Sequence, residues 1–238
     1  MINKSSPNVD KSNFLHFHYG NKKKISLNIK IEGELIEEKQ STKYLGVMLD
    51  NKLNWKAHIQ LIKTKLSKAT GIIARTRHYA TDQVLLNLYY SLFHSHMEYN
   101  LLNWSAATKS NLDPIRLSLR AIVRIMSYKS KYEHSTPLFK NLQILPFDLL
   151  VKHKTAMFMW KLSNHLIPFP LSSEFDQNEY NDHKFNLPKV DNDFSIRALS
   201  FSGVKIWNSE VADILKGTAF LKTFSRKYKD HLLQTLDI

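Results

Sequence analysis

The chain has no cysteine, which excludes disulfides, thiolate metal sites and a cysteine nucleophile, and with them a disulfide-stapled secreted scaffold. Glycine and proline are scarce, six and seven in 238 residues, too few for an all-β barrel built on tight turns. No apolar run reaches the roughly 18 residues that a membrane-spanning helix needs, so no membrane partner is expected. The polar opening Met-Ile-Asn-Lys-Ser-Ser-Pro-Asn lacks the apolar core of a signal peptide. Gly-x-Gly-x-x-Gly, Gly-Lys-[Ser/Thr], Gly-x-Ser-x-Gly and His-Glu-x-x-His are all missing. What remains is 43% hydrophobic and 23% charged, the composition of a chain that folds around a core.

Acidic residues are also unevenly missing. The net charge is +13, and most of it is local. Residues 51–131 hold 13 basic and 3 acidic side chains, whereas 1–50 hold 8 and 6, and 132–238 hold 13 and 12. Between Asp50 and Asp82 stand Lys52, Lys56, Lys63, Lys65, Lys68, Arg75 and Arg77 with no acid among them. Such an excess attracts polyanions, and counterion release makes a phosphate backbone the natural target. A solvated, merely soluble helix face is the competing explanation.

Residues 12–50 read as strands. Phe14, His16 and His18 alternate with Leu15, Phe17 and Tyr19, a turn follows at Gly20-Asn21, and Leu27, Ile29 and Ile31 share one strand face before Gly33. Residues 43–49 read as one short apolar strand, with Gly46 marking a bulge or a close backbone approach. The period then changes. Ile59, Ile62, Leu66, Ala69 and Ile73 recur at helical spacing and predict a helix from Trp55 to Arg77 capped by Asn54. Thr81-Asp82 caps a second helix through Leu92-Phe93. A third starts at Asn111 or Asp113 with Pro114 in its first turn. It carries Arg116, Arg120 and Arg124 as an i, i+4, i+8 stripe. Further helices are expected over 137–141, 146–165 (amphipathic) and 218–235, with a poorly ordered surface loop over 168–193 and a strand or hairpin arm over 194–207.

No internally complete active site is legible. His16 and His18 share a strand face without a third ligand, His94 and His96 point apart on a helix, and His94 with Glu98 is one i, i+4 pair. Glu37 and Glu38 face opposite ways, Asp191 and Asp193 lie in the loop, and Lys184 and Lys189 are loop charges. Trp55, Trp104, Trp160, Trp207 and the Tyr89-Tyr90 pair read as core.

Three stretches in order carry a resemblance: Asn8-Val9-Asp10-Lys11-Ser12, then Thr42-Lys43-Tyr44-Leu45-Gly46-Val47-Met48-Leu49-Asp50 running on to Leu53-Asn54-Trp55-Lys56-Ala57-His58-Ile59, and Gly203-Val204-Lys205-Ile206-Trp207-Asn208-Ser209. Together they resemble the C-terminal part of reverse transcriptases from non-LTR, LINE-type retrotransposons of the jockey-like kind. The resemblance implies that Lys11 lies in motif D near nucleotide phosphates, and that Tyr44, Leu45 and Gly46 form the motif E primer grip. It also implies that the following helices make a thumb gripping an RNA/DNA duplex by its backbone. Candidate backbone contacts are Lys56, Lys63, Lys65, Lys68, Arg75, Arg77, Arg116, Arg120 and Arg124.

The family's catalytic Asp-Asp pair, which holds two divalent ions such as magnesium in the full-length parent, does not occur in this chain. The expectation is therefore an α+β chain and a catalytically incomplete fragment, without cofactor, whose partners are a nucleic-acid duplex and the missing palm and fingers. It would consist of a small palm remnant over 1–53, a basic three-helix thumb-like bundle over 54–131 and a helical C-terminal region over 132–238. The alternative is a degenerate element remnant or a helical protein-interaction module.

Overall fold

The computed structural model describes residues 8–9, 12–17, 26–178, 183–190 and 192–237, apart from the side chains of Phe194, Ile214 and Asp237. Lys11, His18 and the turn expected at Gly20-Asn21 lie outside these residues. The class is α+β, 58% helical with 8% in short strands. The chain divides into two compact units, Met1–Leu61 and Ile62–Ile238, and the division falls inside a long helix.

In the first unit, β1 (Asn13–Phe14) pairs in parallel with β4 (Glu37–Glu38). Strands β2 (Lys30–Ile31) and β3 (Glu34–Leu35) form a hairpin whose tip, Glu32-Gly33, has positive φ at both residues (52° and 89°). That is the twist a two-residue hairpin turn needs, and Gly33 supplies half of it without strain. The segment expected as one strand over 43–49 is a second hairpin. Strand β5 (Ser41–Tyr44) turns at Leu45-Gly46 into β6 (Val47–Asp50), with Tyr44 opposite Val47. Gly46 is there for the turn, with φ of 83°, and not for a bulge.

Helix α1 (Lys56–Thr76) follows, and every residue of its predicted stripe is buried, Ile59, Ile62, Leu66, Ala69 and Ile73 being at most 4% exposed. In the second unit α2 (Asp82–Leu88) begins where Thr81 Oγ1 accepts the Val84 N–H. The rod continues as a π-helical segment over Tyr89–His94 and α3 (Ser95–Glu98). Tyr89 is buried as expected, but Tyr90 is 42% exposed, so the pair is not core as a whole. Helices α4 (Leu101–Trp104) and α5 (Lys109–Met126) come next. Helix α5 starts a turn earlier than Pro114 suggested. Leu112 is buried in line with Ile115, Leu119, Ile122 and Met126, and that apolar stripe outweighs the hydrogen bond the proline removes.

Helix α6 (Thr136–Asn141) leads to α7 (Phe147–Ser163), which touches α4, α5, α9 and α11. It is buried on several sides, not amphipathic, because Phe147, Leu150, His153, Thr155, Ala156, Met159, Trp160 and Leu162 spread around its circumference. The arm expected as strand over 194–207 is helical: α8 (Asp193–Arg197) and α9 (Leu199–Ser209). Gly203 lets α9 close on α7, since a Cβ there would stand 3.2 Å from Met159 Sδ. Helices α10 (Asp213–Lys216) and α11 (Leu221–Gln234) follow, and a 3-10 turn over Thr235–Asp237 comes after them. Phe224 of α11 stacks on Trp160 and Tyr228 at centroid distances of 6.2 and 5.8 Å and meets Trp207 at a tilt at 6.0 Å. No helix among the described residues is long and apolar enough to cross a membrane.

Candidate nucleic-acid interface

The block Tyr44–Ile59 is a turn-and-cap unit. Asp50, at the end of β6, accepts three backbone N–H groups with its carboxylate: those of Lys52 (3.1 Å), Asn54 (3.0 Å) and Trp55 (2.8 Å). The backbone is thereby held with positive φ at Leu53 and Trp55 (49° and 63°), a conformation that side chains of this size rarely adopt unaided. Asn54 Oδ1 accepts the Lys56 N–H at 2.9 Å and so satisfies one of the open donors at the start of α1. His58 is buried in the first turn, its Nδ1 accepts the Met48 N–H at 3.3 Å, and its ring meets Trp55 edge-on at 6.2 Å. Asp50, Trp55 and His58 therefore build the shape, and Tyr44 (62% exposed) and Leu45 (73%) stand at the hairpin tip. Helix α1 begins at Lys56 and not at the expected Trp55, so Asn54 stands one position outside the cap, and the bonds of Asp50 and His58 were not foreseen.

On α1 the cations lie where the helical period puts them. Lys63, Lys65, Lys68 and Arg75 are all exposed. At 100° per residue, Lys68 and Arg75 stand opposite the buried stripe, with Lys63 and Lys65 on its two flanks. Lys56 is exposed at the start of the same helix, in the first unit.

The arginine stripe of α5 is less uniform than its spacing implied. Arg116 is held by Asp148, Nη2 to Oδ1 at 2.7 Å and Nε to both carboxylate oxygens, and its Nη1 donates to Asp113 Oδ1 at 2.8 Å and the Lys109 carbonyl at 2.9 Å. These bonds raise its pKa further, and they give the guanidinium a structural task between α5 and α7. Arg124 Nε donates to the Glu133 carbonyl at 2.8 Å, and Arg77 Nη1 to the Ile125 carbonyl at 3.1 Å. Arg120 is the exposed member of the stripe.

His94 and Glu98, whose spacing suggested only chance neighbours, are in contact, Nε2 to Oε2 at 2.8 Å, and Lys154 joins Glu98 from α7. The His94 hydrogen bond, and then that of Lys154, hold the Glu98 carboxyl down at about 2. His153, buried on α7, donates from Nε2 to the Ser225 carbonyl at 2.9 Å, and burial lowers its pKa. No group of three His, Asp or Glu side chains among the described residues could hold a metal ion.

The third block of the sequence is a clip. Trp207 Nε1 donates to the His183 carbonyl at 2.9 Å, while Asn208 Nδ2 donates to the Phe185 carbonyl at 2.7 Å and Asn208 Oδ1 accepts the Phe185 N–H at 3.2 Å. The amide thus pairs with Phe185 as a neighbouring strand would. Phe185 is 4% exposed and bridges to Gln177, so the loop expected to be poorly ordered is anchored at this point.

Over 141 residues, 58% of its length, the chain is 27% identical to the RNA-directed DNA polymerase from mobile element jockey of Drosophila melanogaster. The chain is thus similar to part of a mobile element's RNA-directed DNA polymerase. It spans 15% of the length of that relative. No protein-family model matches it, and no solved structure does.

Proposed function

We propose that the chain is a nucleic-acid-binding part of a reverse-transcriptase system. It would grip a primer–template duplex by its phosphate backbone and would not polymerise by itself. The exposed cationic face of α1 carries this reading: Lys63, Lys65, Lys68 and Arg75 surround the solvent side of a 21-residue helix, in a chain similar to an RNA-directed DNA polymerase. A helix of that length rises about 30 Å, close to one turn of a duplex. Arg120 extends the set within the second unit. Arg116 is left out of it because two carboxylates already hold its guanidinium. In the first unit the Tyr44-Leu45-Gly46 tip, which resembles a primer grip, presents two exposed side chains at the end of the β5–β6 hairpin away from Asp50. No Asp-Asp pair occurs in the sequence, so the carboxylates for two-metal nucleotidyl transfer would have to come from elsewhere.

The test is charge reversal of Lys63, Lys68, Arg75 and Arg120 to Glu, read by fluorescence anisotropy on a labelled RNA/DNA hybrid duplex. Duplex affinity should collapse by about two orders of magnitude or more while the thermal melt is retained, because the four side chains are on the surface. Unchanged affinity would remove the proposal and favour a protein-interaction module.

A further inference from the structure

Three tyrosines that no part of the core uses stand at one end of the helical unit. Tyr79 is 93% exposed, Tyr132 81% and Tyr128 51%. One exposed tyrosine needs no explanation. These three occupy two loops that the structure ties together, the one after α1 and the one after α5. Arg77 donates across to the Ile125 carbonyl at 3.1 Å, Tyr128 Oη donates back to the Arg77 carbonyl, and the Arg77 guanidinium lies 5.4 Å from the Tyr128 ring centre. His78, beside Tyr79, meets Tyr128 edge-on at 6.5 Å. The Tyr132 loop is anchored by the Arg124 bond to the Glu133 carbonyl, and the Lys131 ammonium stands 4.9 Å from the Tyr132 ring centre. Arg77, Lys129 and Lys131 supply the charge here, and Glu133 is the one acid in residues 77–80 and 127–134.

We infer that this end of the unit is a stacking platform for unpaired bases, a site for single-stranded RNA or DNA distinct from the duplex-gripping face of α1. Gripping a duplex by its phosphates needs cations and has no use for solvent-facing rings, because paired bases hide their faces in the stack. Cations interleaved with exposed aromatic rings are what a single strand engages, its phosphates taken by the charges and its bases by the rings. The positive surroundings match a polyanion, and they set this patch apart from an uncharged docking surface. The inference rests on reading the chain as a nucleic-acid binder, and it deepens that reading by naming where a template or displaced strand would lie.

The experiment uses the full chain and three probes: a blunt RNA/DNA duplex, an unstructured oligo-dT or oligo-U strand, and a poly-glutamate peptide. Tyr79→Ala/Tyr132→Ala should weaken single-strand binding by roughly tenfold or more and leave duplex binding within about twofold. Tyr79→Phe/Tyr132→Phe should restore it, since stacking needs the ring and not the hydroxyl. Tyr128 is spared because its hydroxyl ties the loops together. Equal single-strand affinity of wild type and the double alanine variant would overturn the inference, as would wild-type binding to duplex but not to single strands. Both of these results leave the duplex proposal standing, whereas binding to neither nucleic acid would overturn both. Poly-glutamate binding lost with the two alanines, beside unaffected single-strand binding, would assign the platform to an acidic protein and overturn the inference as well.

Discussion

Asp50 shows how one carboxylate fixes the geometry of a turn. Three amides point at it, and two bulky residues beyond it hold positive φ only because those bonds persist. Asp50→Ala should therefore cost about 1–2 kcal/mol in chemical denaturation, the scale of a lost helix cap, and Asp50→Asn should recover part of it. Glu98 makes a second, pH-dependent case. Its carboxyl lies near 2 in the fold against an ordinary value of 4.5, owing first to His94 and then to Lys154. A depressed carboxylate stabilises the fold above its unfolded pKa and loses that contribution as pH falls toward the folded one. Wild type should thus be more stable than Glu98→Gln near neutral pH, with the gap closing between 4.5 and about 2. Denaturation midpoints of the two proteins across that range give the answer, and a gap independent of pH would contradict the assignment.

At the scale of elements, the Trp207-Asn208 pair makes α9 the anchor of the loop that precedes it. Asn208→Ala removes both bonds to Phe185, and the expected outcome is faster hydrogen exchange and earlier proteolytic nicking around 183–186, with a much smaller change in the global melt. A loop as protected as in wild type would deny the clip its role. The same elements show what was legible in the sequence. The stripe of α1 was readable because Ile59, Ile62, Leu66, Ala69 and Ile73 recur at one period and all face inward. The 193–209 segment was not, since its short run of aromatic and β-branched residues satisfies strand and helix alike. Only the burial of Gly203, Val204, Trp207 and Val211 together, set by packing against distant α7, decides for the helix. The hairpin at Leu45-Gly46 was hidden for a different reason: a leucine at positive φ is a poor turn signal. Among the candidate contacts, exposure of Lys63, Lys68 and Arg75 followed from the period. The engagement of Arg116 did not, because Asp148 reaches it from 32 residues away.

Over the whole molecule, charge is the property that separates binding from mere solubility. Cations on a solvated face ask for no partner, and most exposed ones contribute little to stability. Under the proposed function Lys63, Lys65, Lys68, Arg75 and Arg120 instead act together, and duplex affinity arises from the counterions they displace from the phosphates. Base sequence should then matter little and salt a great deal. The most direct measurement is the affinity of the intact chain for an RNA/DNA hybrid duplex over a series of salt concentrations. The expected log–log slope lies between about −2 and −4.5 and falls toward zero in the variant with Lys63, Lys68, Arg75 and Arg120 reversed to Glu. A flat salt dependence, or the same slope in both proteins, would contradict it.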